Sequence, residues 1–171
     1  MIETISGAKG VILDMRSSQI VPFSDIISLF LPKPTKARKI INANRINPGT
    51  FTISFEYEGD DRGFYYESKI VIVVNEKTRM GGEYISMTLQ QNPNTFVIGS
   101  ATSGTVGFQA NIPLPGGILT LFPVTGFYYP DGRQVQLIGI AIDEEVKPTL
   151  QGIIEGRDEL IEKAIKIIEN E

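Results

Sequence analysis

The stretch IVIVVNEKTRMGGEYISMTLQQNPNTFVIG, residues 70–99, constrains the fold more than any other part of the chain. Its apolar run at 70–74 is continuous and β-branched, the pattern of a strand buried on both faces. Residues 81–91 read as a helix and 96–99 as a second apolar strand. A strand, a helix and a strand within this length fit the crossover between two parallel strands. The expected architecture is therefore α/β, a mostly parallel sheet with flanking helices.

Around this unit the spacing predicts further elements. Val11, Ile12 and Leu13 follow Gly10 as a short apolar run suited to a central strand. Ser24 and Asp25 are placed to cap a short helix carrying Ile26, Ile27, Phe30 and Leu31, which Pro32 stops. Residues 40–68 alternate apolar and polar side chains about an acidic, glycine-containing turn, and predict an added β-hairpin. Strands are expected at 117–124 and, past the Pro130–Asp131–Gly132 turn, at 135–140. Asp158 can cap a closing helix with Leu160, Ile161, Ala164, Ile165 and Ile168 on one face. With 171 residues and 42% apolar content, one core and one domain are expected.

Composition removes whole classes of chemistry. The chain has no Cys and no His, which excludes disulfides, thiolate nucleophiles and every triad that needs an imidazole. A net charge of -4 gives no basic footprint for nucleic acid. The most basic stretch, KPTKARK from Lys33 to Lys39, reads as a solvated connector. GSATSGTV, from Gly99 to Val106, has the glycines of a phosphate loop but Thr105 and Val106 where Lys and a hydroxyl are required. The acidic clusters EYEGDD and DEE miss the calcium-loop spacing, so no metal or cofactor is expected. No run reaches the length of a membrane span, and the first residues lack the pattern of a signal peptide.

In a parallel sheet, chemistry gathers where strands end and helices begin, because helix N-termini offer free N–H groups there. Three segments lie at such edges: DMRSSQIV (14–21), NEKTRMGGE (75–83) and GSATSGTVG (99–107). Asp14 and Arg16 are placed to pair and brace the first. Ser100, Thr102 and Ser103 read as turn residues, and Ser86 lies too deep in its helix to serve as a nucleophile.

Taken in order, these edges resemble the core of the C-terminal processing and tricorn-core-like serine peptidases, peptidase family S41, whose fold is related to those of ClpP and crotonase. LDMRSSQIV stands where the family has an Asp-Leu-Arg-Asn-x-Pro-Gly-Gly-like turn, and SDIISLFLPK resembles the helix that follows. The stretch 70–104 resembles the signature in which Asn-Glu-x-Thr leads to Ser-x-x-Glu and then to Ile-Gly-x-x-Thr-x-Gly. PDGRQVQLIGIAIDEEVKPT is similar to the family's Pro-Asp-Gly hairpin and Gly-Ile-x-Pro-Asp-x-x-Val segment, and GRDELIEKAIKII to its closing helix.

The resemblance implies a serine three residues before the helix glutamate, Glu83. Met80 stands there, and a thioether has no ionisable proton and cannot accept an acyl group in this mechanism. It also implies a lysine base just past Thr-x-Gly. That place, after Gly104, holds Thr105, which cannot act as a base near neutral pH; the tricorn-like branch takes its base from a histidine, and there is none. The oxyanion hole implied by the family pairs an N–H of the Gly-Gly turn with one beside the nucleophile. The first maps near Ile20 and Val21, whose β-branched side chains disfavour a glycine-like backbone, and the second is the N–H of Gly81. Glu83 itself is expected to complement the helix dipole rather than to act as an acid.

The sequence thus reads as an S41 peptidase-like domain without catalysis, whose residual cleft binds an extended peptide or protein segment by strand addition. The alternatives are a peptidase completed by a missing segment or another subunit, and an architectural module of a larger extracytoplasmic protein, periplasmic or secreted by resemblance. The family's N-terminal cap or PDZ-like parts are expected to be missing. A bare face beside the first strand is then expected to self-associate as a two-fold homodimer or to be covered by the 40–68 hairpin.

Overall fold

A computed structural model describes residues 5–17, 23–31, 34–44, 46–60 and 65–169, with the backbone alone for 23–26. Along the chain the elements are β1 (Gly10–Asp14), α1 (Phe23–Phe30), β2 (Thr35–Ala43), β3 (Phe51–Glu58), β4 (Lys69–Val74), α2 (Gly81–Leu89) and β5 (Thr95–Gly99). They continue with β6 (Gln109–Leu114), β7 (Ile118–Pro123), β8 (Thr125–Tyr128), β9 (Glu144–Glu145), α3 (Leu150–Glu155) and α4 (Glu159–Glu169).

Strand β4 organises the rest. Ile70, Ile72 and Val74 point into one core, with Ile27, Leu31, Ile85 and Leu89 from α1 and α2 and the turns beside them. Val71 and Val73 point into a second, with Ile98, Leu160 and Ala164 of β5 and α4. The five apolar residues of β4, 70–74, are fully buried, which is why their run does not alternate, and each contributes about 1.5–3 kcal/mol by burial. The sheet order is β1-β4-β5-β9, with every pairing parallel. The expected α/β architecture with a mostly parallel sheet and flanking helices is what the chain forms. Asp158 caps α4 as expected, accepting from the Ile161 N–H at 3.2 Å.

Beside this sheet stand an antiparallel sheet, β3-β2-β8, and a two-stranded ribbon, β6-β7. Several expectations are corrected here. The added hairpin is β2-β3, and its turn is 44–50 rather than the acidic glycine segment, which follows β3. Asn44 fixes that turn by accepting from the N–H groups of Ile46 and Asn47, and Gly49 takes φ 91°. The hairpin pairs with β8. Strand β1 is an edge, paired among the described residues with β4 only, rather than central. Helix α1 begins at Phe23, so Ser24 and Asp25 lie inside it instead of capping it. Residues 135–140 form a turn rather than a strand: Val135 O accepts from the N–H groups of Ile138 and Gly139, and Leu137 adopts φ 68°.

The basic stretch is not a solvated connector. Its residues from Thr35 onward form β2, and a register shift between Lys36 and Arg38 turns both Ala37 and Arg38 inward. The Arg38 guanidinium is fully buried. It donates to Glu56 at 2.6 Å, to the Thr88 hydroxyl at 2.8 Å, and to Glu58 and the Tyr84 hydroxyl, and it lies 3.7 Å from the centroid of the Tyr84 ring. This cluster fastens the β2-β3 hairpin to α2. Burial, then the hydrogen bond to Glu58, pushes the Tyr84 hydroxyl well above its usual range, so it stays a donor there.

Arg38→Ala is expected to destabilise the chain by on the order of 3 kcal/mol, because the partly exposed Glu56 and Glu58 lose a cation that is itself fully buried and packed between hairpin and helix. Arg38→Lys should recover little of this, since an ammonium cannot reproduce the planar fork. Urea unfolding measures both; a loss under about 1 kcal/mol would place the cluster with ordinary surface pairs.

Candidate functional site

The three edges named from the sequence meet at one end of the parallel sheet, and Thr78 joins them. Its hydroxyl accepts from the Asn75 N–H at 3.0 Å and donates to the Met15 carbonyl at 2.9 Å, binding the second edge to the first. Its carbonyl accepts from the Ser103 N–H at 3.0 Å, binding the second to the third. Sequence reading assigned Thr78 no role. Its signal was the Asn75-to-Thr78 spacing, in which Asn75 also accepts from the Lys77 N–H as in an Asx turn.

Met80 follows at the N-cap of α2 with φ 44° and ψ -105° and no capping side chain. These angles approximate the first central position of a type II′ turn, which glycine dominates because a Cβ is crowded there. The Met80 side chain is 44% exposed. It therefore lies at the surface of the site rather than in its core. Gly81 is the first residue of the helix, so its N–H has no intrahelical acceptor.

Glu83, one turn in, is fully buried. Its carboxylate accepts from the Thr102 hydroxyl at 2.6 Å and from the N–H groups of Gly104 at 2.6 Å and Thr105 at 2.8 Å. It stands in the first turn of α2, and through these bonds it anchors the third edge. The Thr102 hydroxyl also accepts from the Ile140 N–H at 3.1 Å, which ties in the turn at 135–140. Gly104 is required where it stands: φ is 66°, and a Cβ would lie 2.9 Å from the backbone of Leu137.

This anchoring brings the two positions singled out from the sequence together. The Thr105 hydroxyl accepts from the Met80 N–H at 3.3 Å and lies 2.9 Å from the Ser103 hydroxyl. Ser86 is buried and donates to the Gly82 carbonyl at 2.7 Å, occupied within its own helix. Ile20 and Val21 lie outside the described residues. Asp14 and Arg16 pair at 2.7 Å, and Arg16 also reaches Asp158 at 2.6 Å, so the brace extends to the cap of α4. Alongside the site runs a groove of about 660 Å³, walled by Ile41, Phe51, Thr105, Val124, Tyr128 and Leu137.

Residues 1–146 match the family model of peptidase family S41. The chain belongs to peptidase family S41. Over 150 residues it is 29% identical to a carboxyl-terminal-processing protease of Synechocystis, a match covering 84% of this chain and 32% of that one. Among solved structures, a peptidase of Parabacteroides merdae superposes with a TM-score of 0.84 at 23% identity, covering 95% of this chain and 53% of that one. The tricorn protease superposes with a TM-score of 0.67 at 23% identity, over 95% of this chain and 15% of that chain. The chain thus spans about a third of the curated relative and half of the first structure, and the S41 fold is what these likenesses share.

Two outcomes follow from this geometry. Met80→Gly should stabilise the chain by roughly 1 kcal/mol, because glycine takes the mirror-image backbone region without strain; equal or lower stability in thermal unfolding would show that residue 80 relaxes in solution. The hydrogen bonds from Arg16 hold the carboxyls of Asp14 and Asp158 below their ordinary value of 3.8. A depressed folded-state value adds stability that is present above pH 3.8 and lost as the pH falls through the lower folded value. Wild type should therefore exceed Arg16→Met in stability at neutral pH and converge on it in acid, read from denaturant midpoints across a pH series.

Proposed function

We propose that this S41 domain works without catalysis and holds an extended, uncharged peptide segment in the groove beside Thr105. The observation that carries this reading is the pairing at the helix N-terminus: a thioether on the tight turn, with a threonine hydroxyl bonded to the same backbone N–H. The thioether cannot be an acyl acceptor, and the threonine hydroxyl, standing at the base position, cannot be a general base near neutral pH. The chain has no His or Cys to replace them, and a base supplied from elsewhere would still find no nucleophile at residue 80. The groove offers apolar walls with backbone nearby, the setting in which a strand-like peptide binds through main-chain hydrogen bonds and side-chain pockets. On family resemblance we place the domain outside the cytoplasm, in a periplasmic or secreted protein. No helix among the described residues is long and apolar enough to cross a membrane.

The purified chain should resist labelling by a fluorophosphonate probe and leave casein peptides intact, and Met80→Ser alone should leave both results unchanged, because such constellations act as a unit. Adding Thr105→Lys with glycines at Ile20 and Val21 is the smallest set worth assaying for regain. Stoichiometric labelling of wild type at any serine, with matching turnover, would sink the non-catalytic reading. Binding is read by fluorescence anisotropy with a labelled, uncharged peptide rich in alanine and valine. Saturation by wild type, weakened by Leu137→Asp in the groove wall, is the expected result; no saturable binding would leave a purely architectural domain.

A further inference from the structure

From Tyr84 through Pro130 the sequence contains no charged residue, although the chain carries 16 Lys and Arg and 20 Asp and Glu elsewhere. The first part of this stretch is core. Its middle part, ahead of β8, is the β6-β7 ribbon, and that ribbon is not buried. Ile112 and Leu114 on β6 are exposed, as are Ile118, Leu119, Leu121 and Phe122 on β7. Leu119 and Leu121 lie on one face of the ribbon and Ile118 and Phe122 on the other, and all four are exposed, so among the described residues both faces are open.

A two-stranded ribbon is marginal in water by itself, and an apolar one needs a partner. The edges of the ribbon say which kind. Each strand pairs, among the described residues, with the other only. Pro113 interrupts the outer edge of β6. The outer edge of β7 from Ile118 to Phe122 has no charge and no register shift, and the strand's one proline, Pro123, stands at its last position, so the devices that keep edge strands from pairing are missing from most of its length. Its free N–H and C=O groups call for another strand. A lipid interior would satisfy the apolar faces but leave those groups unpaired, at several kcal/mol each.

Charge selects among possible strands. Two copies of this chain each carry a net charge of -4, and they meet with least repulsion where neither bears a charge. An antiparallel edge is also self-complementary under a two-fold rotation, the commonest symmetry of homo-oligomers.

We propose that β7 pairs antiparallel with β7 of a second copy, joining two ribbons into a four-stranded sheet across a two-fold axis. This interface shares Phe122 with the groove wall, but it does not require that the groove bind a peptide.

Analytical ultracentrifugation of the whole chain over a dilution series tests this, with hydrogen exchange at a low and a high concentration. Wild type should dimerise, and amides within 118–122 should gain protection as the concentration rises. Leu119→Lys and Leu121→Glu, at side chains 67% and 62% exposed, should each raise the dimer Kd at least about tenfold, since each sets a charge against an apolar partner. Unchanged far-UV circular dichroism and thermal midpoints would confirm that both variants fold. Three results would overturn the proposal: a monomer at every concentration, a dimer equally strong in both variants, or a monomer that floats with neutral phosphatidylcholine vesicles, which would assign the ribbon to a lipid surface.

Discussion

The arrangement of the site depends on one buried carboxylate. Glu83 has no cation against it among the hydrogen bonds described, and its charge is instead met by the open N-terminal turn of α2 and by donors from the glycine-rich loop. Such a group is costly to bury unless its lone pairs are filled, so the loop must close on it for the helix to seat against β4. The closure sets Thr105 against Met80 as a by-product. The geometry linking those two positions is therefore a requirement of folding, and on the proposed reading it outlasts the chemistry it once supported.

The same reasoning applies to the turn at residue 80. Nothing in a methionine side chain itself favours φ 44°. The turn is imposed from both sides, by Thr78 bonded to two other edges and by Gly82, whose N–H donates to the Arg79 carbonyl at 3.0 Å. Backbone strain persists where surrounding contacts over-determine it. Side chains at 80 and 105 are set less firmly, since both are exposed. This difference in constraint explains how a site can keep its backbone while its reactive groups change.

Legibility from sequence follows the same division. The 70–99 unit was readable because burial on both faces suppresses alternation, and the parallel register confirmed it. The pairing of Asp14 with Arg16 was readable from local spacing, whereas the reach of Arg16 to Asp158, 142 residues away, was not. Arg38 was misread because a bulge, which leaves no clear mark in composition, turned a charged side chain inward. The 135–140 turn was misread because alternating apolar residues there serve a turn held by Val135, with Leu137 pointing to solvent. Met80 and Thr105 were located by motif spacing, but the role of Glu83 as the anchor between them needed the distances.

The exposed ribbon and the groove share residues, and this couples the two proposals physically. Phe122, Pro123 and Val124, at the end of β7, wall the groove opposite Ile41 and Phe51. The ribbon is hydrogen-bonded as a strand to neither of the other sheets among the described residues, so a peptide entering the groove bears whatever conformational entropy is lost in ordering that wall. Pairing of β7 across a two-fold would order it in advance. By linkage, a peptide that favours the ordered wall must strengthen dimerisation by the same factor with which dimerisation strengthens the peptide. Peptide affinity that rises with protein concentration would follow from the shared wall, and independence of the two would mean that residues 122–124 are already fixed by the β8 strand that they precede.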